Sequence, residues 1–280
     1  MTLSKESTSR TAKTTDWNIH YHEAGAGHPL VLLHGSGPGA SGWSNFSGNI
    51  AGLSRHFRVL AVDMPGWGAS DPCTIDHLDH GKAALQFMDT LGIEKAAVVG
   101  NSMGGINALR LATEHPDRVS HLITMGAAVN RGPRLFGPGD GPSEGLKILI
   151  EAYRNPSADT MRRLVEIMCF DKRYADEELC RKRSEAARAQ PVHLKNFLDG
   201  LAKGGPVPQI ATLEQLMTIK APSLLIHGRD DRVVHYEHSL VLVSHIPNSR
   251  LVLLNRCGHW AMIEHAEEFN RLVIDFIKHN

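Results

Sequence analysis

"VVGNSMGGINALRLA", residues 98–112, turns a β-branched apolar run into an Ala/Leu-rich helical run through a knot of glycines that holds one serine. A strand that passes straight into a helix across such small residues makes a tight elbow, and a serine at its tip keeps its hydroxyl exposed. Gly100, Asn101, Ser102, Met103 and Gly104 fill the pattern Gly-x-Ser-x-Gly. The bare pattern arises by chance too easily to carry weight alone. Ser102 has a second role open to it, as the cap of the helix that begins at 103. Its partners decide between the two: a serine hydroxyl becomes a nucleophile when a base takes its proton and a carboxylate orients that base.

Both partners are expected at the ends of later strands, in the order Ser, Asp, His. "LLIHGRDDRVV" sets Asp230 and Asp231 behind a strand predicted at 222–229, and the spacing Gly228-x-x-Asp231 favours Asp231. "LLNRCGHWAMIEH" sets His259 behind a strand predicted at 249–256, between Gly258, which frees the loop, and the apolar wall of Trp260. With 17 histidines in the chain, a histidine at a strand end means little by itself, and His227, His235, His245 and His265 are read as solvated or capping. Upstream, "LLHGSGPGASGW" (32–43) is a Gly-rich loop after the first long strand. Such a loop offers backbone N–H groups to a developing oxyanion. The N–H groups of Ser36 and Met103 are the assigned donors, with Gly35 and Gly37 beside Ser36 taken as contacts to substrate. A phosphate-binding loop would need a lysine or a dinucleotide pattern, and neither is there.

The same alternation runs outward along the chain. Apolar β-type runs at 28–35, 57–64, 95–102, 119–126, 222–229 and 249–256 alternate with helical runs near 76–91, 103–115, 237–246 and 265–279. An antiparallel edge strand is expected at 17–25. The pattern implies an α/β fold with a mostly parallel central sheet and helices on both faces, its ligand site at the strand ends. Residues 130–212 break the rhythm: "NRGPRLFGPGDGP" leads into helical stretches near 143–153, 157–169, 175–190 and 193–203. The expected organisation is a flexible tail (1–15), a core (16–129 and 213–280) and an inserted helical cap (130–212) that shapes a pocket.

The bulk numbers bound the function. A chain of 280 residues, 42% hydrophobic, suits one domain with an insertion. Thirty basic residues balance thirty acidic ones, so neither a nucleic acid nor an anionic membrane is implied as a partner. The start "MTLSKESTSRTAKTT" lacks the apolar core of a signal peptide, and no apolar stretch reaches the roughly 18 to 20 residues of a membrane span. Cys73, Cys169, Cys180 and Cys257 lack metal-ligand or redox spacing, which points to a reduced, cytoplasmic protein. No metal or organic cofactor is expected.

"HGSGPGASGW", "GNSMGG", "HGRDDRVV" and "RCGHWAMIEHAEEFNRLVIDFI" together resemble an α/β-hydrolase, and specifically the meta-cleavage product hydrolases, which split carbon–carbon bonds in aromatic degradation. The resemblance covers nearly everything after residue 17. It implies a catalytic triad of Ser102, Asp231 and His259, an oxyanion-hole position at Ser36 and a substrate-contacting amide at Asn101. An aspartate in place of Ser102 would have pointed to a dehalogenase or an epoxide hydrolase.

Such a substrate, of the 2-hydroxy-6-oxohexa-2,4-dienoate type, calls for a cationic fork on its carboxylate. On a helix through "ADEELCRKRSEAARAQ", positions 175, 179, 183, 186 and 187 share a face, and an arginine there either snorkels or meets a polar ligand. The family's substrate-binding arginine, in a matching stretch ahead of "HLKNF", selects Arg183. Trp260 is assigned either to the acyl side of the pocket or to packing beneath the histidine loop. The resemblance also implies a homodimer or larger homo-oligomer. Two other functions fit the same motifs: a carboxylesterase for acidic monoesters such as monoalkyl phthalates, and a non-catalytic binder of the same fold.

Overall fold

A computed structural model describes residues 3–130, 142–204 and 210–280. Eight strands form one sheet: β1 (Ser9–Lys13), β2 (Asn18–Ala24), β3 (Pro29–Leu33), β4 (Arg58–Val62), β5 (Ala96–Asn101), β6 (Val119–Met125), β7 (Ser223–Gly228) and β8 (Ser249–Leu254). Their spatial order is β1-β2-β4-β3-β5-β6-β7-β8. The pairs β1–β2 and β2–β4 are antiparallel and the rest parallel. β5 and β7 are buried at every residue, which is why "AAVVG" and "SLLI" read as unbroken small and apolar runs instead of alternating ones. Strand order reverses at β3, between β4 and β5, and a crevice at the strand ends beside such a switch is where open sheets of this kind bind ligands.

The first helices are α1 (Lys5–Thr8), α2 (Gly42–Leu53), α3 (His80–Thr90) and α4 (Met103–Glu114). Four more lie between β6 and β7: α5 (Glu144–Arg154), α6 (Ala158–Met168), α7 (Glu177–Arg188) and α8 (Pro191–Ala202). Then come α9 (Leu213–Leu216), α10 (Glu237–His245), α11 (Ala261–Glu264) and α12 (Ala266–Lys278). Among the described residues, no helix is long and apolar enough to cross a membrane.

The insert carries its own apolar seams at helical spacing, Leu149, Ala152 and Tyr153 on α5 against Met161, Leu164, Val165 and Met168 on α6. Hydrogen bonds tie it to the sheet loops: the Gly145 N–H donates to the Arg232 carbonyl (3.2 Å) and the Ser143 hydroxyl to the Val233 carbonyl (2.8 Å). Its Gly/Pro-rich opening, "NRGPRLFGPGDGP", lies outside the described residues apart from its two ends. On α7 the buried face is Cys180, Arg183, Ser184 and Ala187, so the expected face needs correcting: Ala186 is exposed and Leu179 only partly covered.

Two further expectations need correcting. Residues 5–13 are not a loose tail but α1 and β1, and β1 takes the edge position expected for 17–25. Polar "SRTAK" makes a strand because only one side needs covering: Ala12 is buried against the sheet and the neighbouring hydroxyls have partners. Thr8 Oγ1 lies 3.0 Å from His22 Nδ1, and Ser9 Oγ lies 2.8 Å from His20 Nε2. Likewise "GWSNFSGNIAGL", with three glycines, is a helix through its surroundings. Ser41 and Ser44 form a capping box, the Gly42 N–H donates to Asp63 Oδ1 (2.7 Å), and Phe46, Ile50 and Leu53 are buried in the core.

Candidate active site

Ser102 joins β5 to α4 with φ 52° and ψ −115°, a left-handed backbone that a residue with a Cβ holds at a cost of about 1–3 kcal/mol. Its N–H donates to the Met125 carbonyl (2.7 Å), and its carbonyl accepts the Ile106 N–H (3.0 Å). The side chain makes no capping bond to the helix, so the capping role falls away. The neighbouring glycines are needed for space. A Cβ on Gly104 would lie 2.1 Å from the Leu33 carbonyl oxygen, and one on Gly100 would lie 2.2 Å from that of Gly104.

Asp231 and His259 meet from loops far apart in the chain: His259 Nδ1 lies 2.7 Å from Asp231 Oδ2, both buried. The other carboxylate oxygen accepts the N–H groups of Val233 (2.7 Å) and Val234 (2.9 Å). Burial pushes against ionisation of Asp231, but the charges and hydrogen bonds of His259 and His227 outweigh it and hold the carboxyl well below the usual carboxylate range. Asp230 makes no such pair, and its buried Oδ2 has no hydrogen-bond partner among the described residues. Gly126, at φ 53°, makes room for the imidazole, since a Cβ there would sit 2.7 Å from His259 Cε1.

Two residues beside this pair were not singled out from the sequence. His227 was read as solvated or capping; it is fully buried inside β7 with Nε2 3.2 Å from Asp231 Oδ2. The signal was its position four residues ahead of Asp231 in "HGRDD". Glu264 is the other. One of its oxygens accepts the N–H groups of Phe170 (2.8 Å) and Asp171 (2.9 Å), and the other accepts that of Gly258 (2.6 Å). With the His259 N–H on the Met168 carbonyl (2.6 Å), the histidine loop is stitched to the end of α6.

Asn101 is the buried last residue of β5. Its amide nitrogen donates to the His259 carbonyl (3.2 Å) and, more weakly, to that of Met125 (3.4 Å), while its Oδ1 is buried without a partner among the described residues. That oxygen lies against Gly35, on which a Cβ would stand 2.8 Å away. Gly35, Ser36 and Gly37 line a tight cavity together with Asn101, His259 and Arg183. Among the described residues, the main-chain N–H groups of Ser36 and Met103 are not engaged in hydrogen bonds. A second cavity, of about 220 Å³, meets the first at Arg183 and Trp260. A third, of about 250 Å³, lies behind the 37–41 loop against His20, His22 and Trp67, and includes none of Ser102, Asp231 or His259.

Arg183 projects from α7 into this region. Its guanidinium carbon lies 4.3 Å from the centre of the Trp260 ring. The side chain is buried, Nε has no acceptor, and no carboxylate among the described residues is within ion-pair distance. Burial lowers its pKa, against smaller opposing effects of Cys169 and Cys180. Trp260 thus supplies a flat face on which the guanidinium lies. The apolar residues Leu149, Leu164 and Met168 line the same tight cavity.

The pattern of the alpha/beta hydrolase family matches residues 30–272. The chain is 42% identical, over 99% of its length and 98% of the relative's, to a 2-hydroxy-6-oxo-6-phenylhexa-2,4-dienoate hydrolase of Comamonas testosteroni. It is 44% identical, over 94% of its length and 92% of the relative's, to a 2-hydroxy-6-oxononadienedioate/2-hydroxy-6-oxononatrienedioate hydrolase of Paraburkholderia phymatum. Its fold matches a meta-cleavage product hydrolase from Pseudomonas fluorescens, crystallised as a mutant with acetates, at a TM-score of 0.83 and 34% identity over 96% of this chain and 97% of that one.

Proposed function

The chain belongs to the alpha/beta hydrolase family and, within it, to the meta-cleavage product hydrolases, and from that premise we propose how its own residues perform the reaction. It is a serine-dependent hydrolase that cleaves a carbon–carbon bond in a 2-hydroxy-6-oxodienoate left by ring fission of an aromatic compound. Breaking the bond between carbons 5 and 6 leaves an electron pair on carbon 5, so that carbon must first become a stabilised leaving group. Ketonisation does this by moving the 2-hydroxyl proton to carbon 5. The resulting 2-oxo-3-enoate then takes up the electron pair by conjugation when the bond breaks.

In this proposal Arg183 and Asn101 hold the carboxylate and 2-oxo end, beside the main chain of Gly35 and Gly37, and Trp260 backs the guanidinium. Ser102 Oγ adds to the carbon-6 carbonyl while His259 takes its proton, and Asp231 keeps the imidazole in the right tautomer. The N–H groups of Ser36 and Met103 receive the oxyanion, each contributing about 3 kcal/mol to the transition state. Collapse releases 2-hydroxypentadienoate, with the histidine returning a proton, and water then frees the carboxylic acid from Ser102. Helices α5–α8 serve as the cap of a region spanning 130–212 over a core of 16–129 and 213–280, and shield the acyl-enzyme.

The observation that carries this proposal is the buried Arg183, without a carboxylate partner among the described residues, opening on the same cavity as His259 and Asn101. A general esterase has no need of a buried cation there, whereas a substrate carboxylate would neutralise it. The test is turnover of yellow ring-fission dienoates against aryl esters and phthalate monoesters. Loss of dienoate colour with release of the acid is expected. Ester turnover alone would point to a carboxylesterase, and tight binding without turnover to a non-catalytic binder. We also propose a homodimer or larger assembly, supported by β8, which ends the sheet with Leu253 exposed, and tested by light scattering. The cytoplasmic placement is supported by four unpaired cysteines and is tested by cell fractionation.

A further inference from the structure

His227 is fully buried in β7 and reaches three groups at once. Its Nδ1 lies 2.6 Å from Ser239 Oγ, and its Nε2 lies 2.8 Å from the Val234 carbonyl and 3.2 Å from Asp231 Oδ2. A carbonyl and an ionised carboxylate are acceptors only, so Nε2 carries a hydrogen in either charge state of the ring. In the neutral ring Nδ1 then accepts the Ser239 hydroxyl proton. Asp231 Oδ2 is thus faced by two imidazole donors, His259 and His227, while its Oδ1 takes two main-chain N–H groups.

We propose that His227 is a positioning residue for Asp231, fixing Oδ2 toward His259 and sharing its negative charge. This rests on Asp231 and His259 forming the catalytic base of the proposed function. Among the described residues, the titratable groups hydrogen-bonded to His227 or to its shared acceptor are Asp231 and, across the shared oxygen, His259, and α10 presents the Ser239 hydroxyl. A second donor on Oδ2 draws charge away from the bond to His259, so its removal makes His259 more basic.

Two substitutions separate the ends of the ring. His227→Gln keeps an amide donor near the place of Nε2. His227→Asn keeps a group near the place of Nδ1 for Ser239 but loses the donor to Asp231. His227→Asn is expected to lower kcat on a dienoate by about 10–100-fold with KM little changed, and to move the acid limb of kcat/KM upward by roughly half to one pH unit. His227→Gln should stay within about fivefold with its limb unmoved. Wild-type kcat with an unmoved limb in His227→Asn would overturn the proposal, as would an equal fall in both variants. If His227→Asn fails to fold, Ser239→Ala, which loosens the ring from the other side, should shift the limb in the same direction, and an unmoved limb would overturn it too. His259→Ala run alongside separates the failures. An active His259→Ala would remove the triad itself, whereas an inactive one beside an unaffected His227→Asn would remove only the role of His227.

Discussion

Ser102 and Arg183 are both held in states that oppose stability, one in its backbone and one in its charge. The left-handed φ of Ser102 is compatible with glycine, which adds its own unfolded-state entropy cost of about 0.5–1 kcal/mol. Ser102→Gly should therefore raise the unfolding free energy by about 1 kcal/mol while lowering kcat at least about a thousandfold. Denaturant melts beside a dienoate assay check both halves, and a clear loss of stability would show that the backbone is unstrained. A buried guanidinium that meets no carboxylate among the described residues loses hydration that the Trp260 ring returns only in part. Arg183→Met, similar in length and apolar, should keep or raise the melting temperature and cut kcat/KM for carboxylate-bearing dienoates about a hundredfold or more. Equal losses on neutral aryl esters would refute the carboxylate-binding role.

At the level of elements, the loop after β8 does more than carry His259. Glu264 ties Gly258 of that loop to Phe170 and Asp171, the connection between α6 and α7, through three charge-assisted bonds. Glu264→Ala is expected to destabilise the protein by about 3 kcal/mol and to speed amide exchange in both 168–171 and 258–260 together. Faster exchange in one segment alone would mean that the two are not coupled. Nothing in the sequence announced this clamp, because two of its three partners are main-chain groups some ninety residues away. The strands were legible for the opposite reason: β3, β5 and β7 are covered on both faces, so burial wrote an apolar run into each. α2 and β1 were not, since their glycines, serines and threonines take their structure from caps and neighbours instead of propensity. The same split divides the site. Ser102, Asp231 and His259 sit in local turn motifs that can be read off the chain, whereas the part played by His227 follows from its ring reaching Asp231 and Ser239 in the folded core.

Across the whole molecule, one sheet edge gathers the ends of β3, β5, β6, β7 and β8 around the site, and the polar groups drawn in with them must stay in one charge state. His34 shows the constraint. Its Nε2 accepts the Met64 N–H (3.0 Å) while its Nδ1 faces the Gly35 carbonyl (2.8 Å), an arrangement that only the neutral ring can satisfy. His80, on α3, is equally enclosed, with Nε2 2.9 Å from the Pro65 carbonyl, and burial brings its pKa down to about 4. Unfolded, each ring titrates near 6.5. Between that value and the folded one the unfolded chain holds the extra proton, so acid draws the equilibrium toward unfolding. Stability from these rings is complete above about pH 7 and is lost as the pH falls through their unfolded value, for His80 by about 1.4 kcal/mol per pH unit down to about 4. Asp231 has the opposite origin: its folded pKa is depressed, so its contribution is lost only at lower pH, below its unfolded value near 4. Urea midpoints followed from pH 7.5 to 4.5 should therefore fall throughout the lower part of that range, and His80→Gln should flatten the slope by about one proton's worth. A midpoint that holds level to pH 5 would mean that the rings take up protons without breaking their bonds.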